Sequence, residues 1–257
     1  MSPVLTPLSI KRQELSDSWT VPDGRAYCYL LGAYLGDGTV CVTRGAWIQI
    51  VNDRRYTAVS EEIKNAMRIT FPGAEPRTHP SHIGESDVHC ISHPAVVRAF
   101  PQHGPGRKHL RPITLEDWQL ERTRAHPEAL IRGLIHSDGC RTENRFQTKL
   151  PSGRVAEYSY IRYFFTNLSA DIRQIFIEHC ELLGIRVTQS SYRNLSGVSS
   201  RQRGHPRADS RAKAVAKNAG GGTRTPTGLR PPGPKPGSSA KFRHARRTET
   251  DSRSGCG

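Results

Sequence analysis

Residues 30–38 read LLGAYLGDG and residues 131–139 read IRGLIHSDG. Each is an apolar run with a small residue at every fourth place, Gly32 and Gly36 in the first, Gly133 and Ser137 in the second, and each closes on Asp-Gly at Asp37 and Asp138. Residues four apart share a face at helical pitch, so each run predicts a helix carrying one narrow stripe of small side chains. Two such stripes allow helix backbones to approach more closely than leucine or valine would permit. These four residues are the predicted helix interface.

The acids say what the contact is for. The C-terminal end of a helix already carries partial negative charge, so a lone carboxylate sits poorly there. The glycines that follow suit a left-handed closing conformation. Packing the helices through their small stripes brings the two carboxylates together, where like charges oppose joint ionisation. A hard divalent cation, Mg²⁺ or Mn²⁺, removes the difficulty: such an ion takes carboxylate and carbonyl oxygens, keeps several waters, and completes its shell with phosphate. Asp37 and Asp138 are the candidate metal ligands, with backbone carbonyls near Gly36 and Ser137 as further donors. One acid from each half at a shared seam suits a substrate with two pseudo-symmetric strands, as in duplex DNA.

The surroundings of the two motifs match. After the first come strands at 39–43 and 46–52, a helix from about Arg55 to Ile69 with Val59, Ile63, Ala66 and Met67 on one face, strands near 75–79 and 86–92, and a short helix from His93 to Phe100. After the second come strands at 140–149 and 157–166, a helix from about Ser169 to Leu183 and a strand near 186–192. Ile172, Ile175, Phe176, His179 and Leu182 or Leu183 are expected on one face of that helix, with Ser169 as N-cap and Gly184 as C-cap. Both halves read α-β-β-α-β-β, an internal duplication. The divisions are an N-terminal extension (1–24), a first repeat (25–110), a second repeat (111–196) whose closing helix is missing, and a tail (197–257).

The tail holds 14 Lys and Arg against 3 Asp and Glu and so carries most of the chain's net charge of +15. The body is mildly positive, which suits a polyanion, but the whole-chain charge is no measure of it. From Gly220 onward the sequence is rich in Pro and Gly and cannot bury enough to order itself. Two readings of the tail stand: a basic disordered extension, or a reading frame that has slipped after about Asn194.

The six cysteines, Cys28, Cys41, Cys90, Cys140, Cys180 and Cys256, are scattered without metal-ligand spacing, which argues against a zinc site or a disulfide framework. No signal-peptide core is present, and no run approaches the ~18 apolar residues of a membrane span. A soluble cytoplasmic protein is expected.

With these residues in place, the chain resembles the LAGLIDADG (DOD-type) homing endonucleases in their single-chain, two-motif form, from about Tyr29 to Asn194. It departs from their pattern at Leu35 and His136, where many members have an acid, and at Arg132, where a small residue is usual. The resemblance implies an α+β fold of two pseudo-symmetric repeats whose antiparallel sheets form a saddle over DNA, working as a monomer. It implies site-specific cleavage of both strands of DNA, the trade of a mobile element. It also implies roles for Asn52 and Asn167, at equivalent strand ends, in ordering water near the metals, though either residue could instead cap the helix that follows. Lys108, in the loop between the halves, would supply a basic group near the scissile phosphate.

The strands support a DNA-facing sheet. Arg141, Glu143, Arg145, Gln147 and Lys149 form an unbroken polar set at period two, suited to base edges and phosphates in a major groove. Tyr158, Tyr160 and Arg162 alternate on the companion strand, and Arg44, Trp47 and Gln49 are the candidates of the first half. A non-cleaving DNA-binding regulator and an RNA maturase of the same fold are the alternatives.

Overall fold

The computed structural model describes residue 14 and residues 16–82 and 84–199. Most of the expected N-terminal extension lies outside the described residues. So does the tail from residue 200, and with it the expectation of a missing closing helix.

Helix α1 spans Gly24–Asp37 and starts where the Asp23 carboxylate accepts from the Ala26 amide at 2.8 Å, an N-cap that satisfies one orphan donor of the first turn. It runs straight into a four-stranded antiparallel sheet of β1 (Gly38–Val42), β2 (Ala46–Asp53), β3 (Arg77–Pro80) and β4 (Ser86–Ser92), in the order β1-β2-β4-β3. Helix α2 (Thr57–Thr70) joins β2 to β3, and the short α3 (Val96–Ala99) follows β4. Ile63, Ala66 and Met67 of α2 are buried as its periodicity predicts.

The second half repeats the plan. Helix α5 (Pro127–Asp138) leads into β5 (Gly139–Lys149) and β6 (Val155–Thr166), then α6 (Ala170–Leu182), β7 (Ile185–Gln189) and β8 (Asn194–Ser199), with sheet order β5-β6-β8-β7. The pairing is equivalent strand for strand: Gly38 faces Ile50, which faces His89, and Gly139 faces Phe165, which faces Leu195. The α+β fold of two like repeats is as the sequence predicts. In α6 the Ser169 hydroxyl accepts from the Ile172 amide. Gly184, at φ 65°, follows the capping residue Leu183. One expectation is corrected there: Leu182 and Leu183 are exposed, and Cys180 takes the buried place beside Phe176 and His179.

Helix α4 (Asp117–Ala125) has no counterpart in the sequence reading. It begins with a reciprocal cap in which the Glu116 amide donates to Gln119 Oε1 at 3.0 Å. Its Trp118 packs against Trp19 and Tyr27, and the buried Gln119 donates to Tyr27 Oη at 2.6 Å. The linker is thereby part of the core and hands the chain to α5, whose first residue is Pro127, the helical position where a missing N–H costs least.

α1 and α5 lie against each other through their small residues. A Cβ on Gly32 would fall 2.3 Å from the Leu130 carbonyl oxygen, and one on Gly133 would fall 2.1 Å from that of Tyr29. No side chain fits at either place, so glycine here is a requirement of the backbone contact. The glycines after the acids act differently from expectation. Gly38 and Gly139 are extended (φ −88° and −112°), not left-handed; a Cβ on Gly38 would meet Tyr34 Cα at 2.5 Å, and one on Gly139 would meet Ile135 Cα at 2.7 Å. Each glycine lets the chain fold back over its own helix end and enter the sheet.

Candidate active site at the helix seam

Asp37 and Asp138 are the last residues of α1 and α5, so the seam that the glycines permit also sets the two acids side by side. The Asp138 carboxylate lies over the end of α1, where its Oδ2 would sit 3.1 Å from a Cβ on Gly36. Its pKa is pushed up to about 6, first by burial and next by the charge of Asp37, against the opposing pull of Asn167 and Lys108. Asp37 is open to solvent on one side, yet the protein around it also raises its pKa, and the Lys108 charge lowers it. Two carboxylates, each disfavoured as an anion, share one place.

Lys108 occupies the gap between them and the end of α1. Its ammonium donates to the carbonyls of Tyr34, Leu35 (3.1 Å) and Gly36 (3.0 Å) and lies 4.8 Å from the centre of the Tyr34 ring. They lie in the last turn of the helix, where carbonyls run out of intrahelical partners; that of Tyr34 also accepts from the Gly38 amide. Burial lowers the Lys108 pKa to about 8, although Asp138 and Asp37 both favour its charge. The Gly36 carbonyl, expected as a metal ligand, therefore already has a cationic partner. The Ser137 hydroxyl lies within hydrogen-bond reach of the Gly133 and Leu134 carbonyls, at 3.1 and 3.0 Å, and packs on Gly36.

The two asparagines are placed alike and bonded differently. Asn167 accepts from the Ser169 amide at 2.7 Å and donates from Nδ2 to Asp138 Oδ2 at 2.6 Å. Asn52 is buried and turned to its own repeat, donating to Ser60 Oγ at 2.9 Å and to the carbonyls of Asp53 and Tyr56. The motif departures have structural partners too. Arg132 forks onto Glu62 of α2 at 2.6 and 2.8 Å, and His136 Nδ1 lies 3.0 Å from Tyr29 Oη, so both tie α5 to the first repeat.

Donor chemistry at the seam fits a hard divalent ion. Among the described residues no group of three or more His, Cys, Asp or Glu is arranged to hold a metal. Mg²⁺ is characteristically held by one or two carboxylates, with waters and substrate phosphate supplying the rest.

The strand residues divide between two faces. In the first sheet Ile48 and Ile50 are buried while Trp47 and Gln49 lie on the opposite, outer face; Arg44 is in the turn between β1 and β2. In the second, Arg141 faces Tyr163, and both line a cavity of about 440 Å³ with Ile131, Ile135 and Phe176 of the overlying helices. The odd-numbered residues of β5 thus lie on the helix side. Glu143 and Arg145 pair at 2.7 Å and Ser159 donates to Glu143 at 2.5 Å, a set that satisfies itself. Tyr158 and Arg162 face Phe146 and Thr142 on the outer face, and Tyr160, by alternation, has the same register position. This corrects the sequence reading: Arg141, Glu143, Arg145, Gln147 and Lys149 do not share a face with Tyr158 and Arg162. The outer residues of β5 are Thr142, Asn144, Phe146 and Thr148. Matching Asn52 to Asn167 across the repeats would have revealed this, since it sets Arg162 where Trp47 stands.

Fold and seam together define the class: a single chain of two like α-β-β-α-β-β repeats with one acid from each at a shared helix seam. No family model and no curated protein sequence matches the chain. Solved structures similar to it include mesophilic variants of the homing endonuclease I-DmoI, at 15% identity and a TM-score of 0.44 over 69% of this chain and 90% of that one. The LAGLIDADG meganuclease I-AabMI bound to uncleaved DNA matches at 12% identity and a TM-score of 0.39, covering 66% and 77%. The LAGLIDADG homing endonuclease I-LtrWI bound to target DNA matches at 13% and 0.40, covering 67% and 77%. Among the described residues no helix is long and apolar enough to cross a membrane.

Proposed function

We propose that the protein is a metal-dependent endonuclease that hydrolyses both strands of a specific DNA duplex as a monomer, with 25–110 and 111–196 as its two repeats. The observation that carries this reading is the seam itself, where two acids from separate repeats meet, each with its pKa raised chiefly by burial. Asp37 and Asp138 would hold Mg²⁺ or Mn²⁺, with the Ser137 carbonyl, and that of Gly36 if Lys108 gives way, as further oxygen donors. A bound divalent ion supplies Lewis acidity toward the phosphate and a water of lowered pKa.

The chain's own groups do the rest. Asn167 holds the Asp138 carboxylate in one orientation. The Lys108 ammonium, bonded to three carbonyls at the end of α1, sets a positive charge beside the seam that would offset the charge developing on a phosphate under attack. Asn52, bonded within its own repeat, braces the start of α2. The outer faces of the two sheets, with Trp47 and Gln49 on one and Tyr158 and Arg162 on the other, offer the side chains for groove and backbone contacts.

The test is a cleavage selection on randomised duplexes with Mg²⁺, run beside Asp37→Asn. Each acid would serve both strand cuts, so the variant should lose nicking and linearisation together. Wild-type cleavage by the variant would refute the role of the seam, and Mg²⁺-independent binding without cleavage would mark a regulator instead.

A further inference from the structure

The two repeats differ most in the reach of their first hairpins. β5 and β6 are 11 and 12 residues long, against 5 and 8 for β1 and β2. Both hairpins start from the same place, directly after the paired acids, so the difference lies wholly at the outer end. At roughly 3.3 Å per residue the second hairpin projects about 20 Å farther from the seam, and at about 3.4 Å per step of a DNA strand that corresponds to about six base pairs.

The extra length also has its own chemistry. Phe146 and Tyr158 face each other across β5 and β6 and stack with ring centroids 5.2 Å apart and planes 15° from parallel. Phe146 is 42% exposed. Tyr158 is half-buried beneath it, so the stacked pair presents the Phe146 ring to solvent on the sheet face. It lies on the same face as Asn144 and Thr142, which lead back toward Arg162 and the seam. On the other face, Glu143, Arg145 and Ser159 bond to one another. In a major groove an aromatic edge contacts the thymine methyl, and an asparagine amide matches the N6 and N7 edge of adenine.

Resting on the nuclease reading above, the geometry points to a target with unequal half-sites: the half gripped by the second repeat extends about six base pairs farther from the cut than the other, and its outer end is selected for A·T pairs by Asn144 and the Phe146–Tyr158 pair. The first repeat, with its short hairpin, reads the shorter half.

The full chain is used to select bound duplexes from a randomised library, with Ca²⁺ in place of Mg²⁺ so that sites are recovered uncut. The expected profile is lopsided by about six base pairs, with A and T enriched at the longer end, and Phe146→Ala erases preference at those outer positions while leaving the inner ones. Asn144→Ala, on the same ladder, should weaken the neighbouring positions of the same half. Profiles of equal length on both sides, or outer preference that survives both substitutions, would overturn the inference while leaving the nuclease reading in place. Failure to select any duplex would overturn both.

Discussion

Asn167 donates from Nδ2 to Asp138 Oδ2 at 2.6 Å, and Asn52, at the matching strand end of the first repeat, makes no such bond to Asp37. The pseudo-symmetry of the chain is therefore faithful in backbone and broken in side-chain chemistry at its centre. A residue that fixes the orientation of a metal-holding carboxylate is worth roughly 10- to 100-fold in metal affinity or activity. Asn167→Ala is expected to lower cleavage by about that factor, with a matching rise in the Mg²⁺ concentration needed for half-maximal rate. Asn52→Ala should act on stability instead, by about 1–3 kcal/mol, because it strands Ser60 and two carbonyls. Metal titrations of cleavage and urea unfolding of both variants separate the two roles; an unchanged metal requirement in Asn167→Ala would contradict the assignment.

The seam makes a sharper prediction about packing. A Cβ on Gly36 would lie 2.0 Å from Ser137 Oγ and 2.5 Å from Ser137 Cβ, so Gly36→Ala should cost about 1–3 kcal/mol or more through overpacking. Both close contacts are to a single side chain. Removing it in Gly36→Ala/Ser137→Gly should recover part of the loss, giving a coupling on the order of 1 kcal/mol in a double-mutant cycle. Equal unfolding free energies for the single and double variants would mean the strain is taken up elsewhere.

The two faces of the second hairpin are separable by arginine. Arg162 lies on the outer face, with its guanidinium 5.1 Å from the Phe164 ring and an Nη2 bond to Ser196 Oγ at 2.9 Å. Arg145 lies on the other face, paired to Glu143. Arg162→Ala should weaken duplex binding by about 1–3 kcal/mol, and Arg145→Ala by well under about 1 kcal/mol, the scale of an exposed ion pair. Fluorescence-anisotropy titrations at fixed salt compare them directly. A larger loss for Arg145→Ala would put the DNA on the wrong side of the sheet.

That last point marks where sequence reading succeeds and where it stops. The duplication, the motif helices and the meeting of Asp37 with Asp138 were legible because small residues four apart and a terminal acid have few other uses together. The face of β5 was not: period two separates its residues into two sets but does not say which set the helices cover. Polarity misled, since Glu143 and Arg145 are polar and bonded to each other on the inner side. α4 was hidden because its burial rests on Trp118 and Gln119 meeting Trp19 and Tyr27, partners remote in sequence. The seat of Lys108 on the end of α1 was likewise beyond any local pattern.

Acid should loosen the second repeat through His179. The ring is 2% exposed, its Nδ1 lies 2.7 Å from the Ile175 carbonyl and so carries the proton, and its Nε2 is buried with no hydrogen-bond partner among the described residues. Protonation would add an unpartnered buried N–H and a charge, and burial accordingly holds the pKa below its usual 6.5; the Ile175 carbonyl and Glu178 oppose that shift, while Arg124 adds to it. The unfolded chain takes up its proton at about 6.5, at a higher pH than the folded one. The stability held by the neutral ring is thus complete above about 6.5 and drains as pH falls toward the folded value, with a slope of up to about 1.4 kcal/mol per pH unit. His179→Gln keeps an N–H donor for Ile175 and removes the titration. Because Asp138, whose pKa is raised and whose contribution runs the opposite way, is common to both chains, it cancels in the difference between them. Urea unfolding from pH 7.5 to 5 should show the variant's stability falling less steeply than that of the parent. Parallel curves would mean that His179 binds its proton equally in the folded and unfolded states.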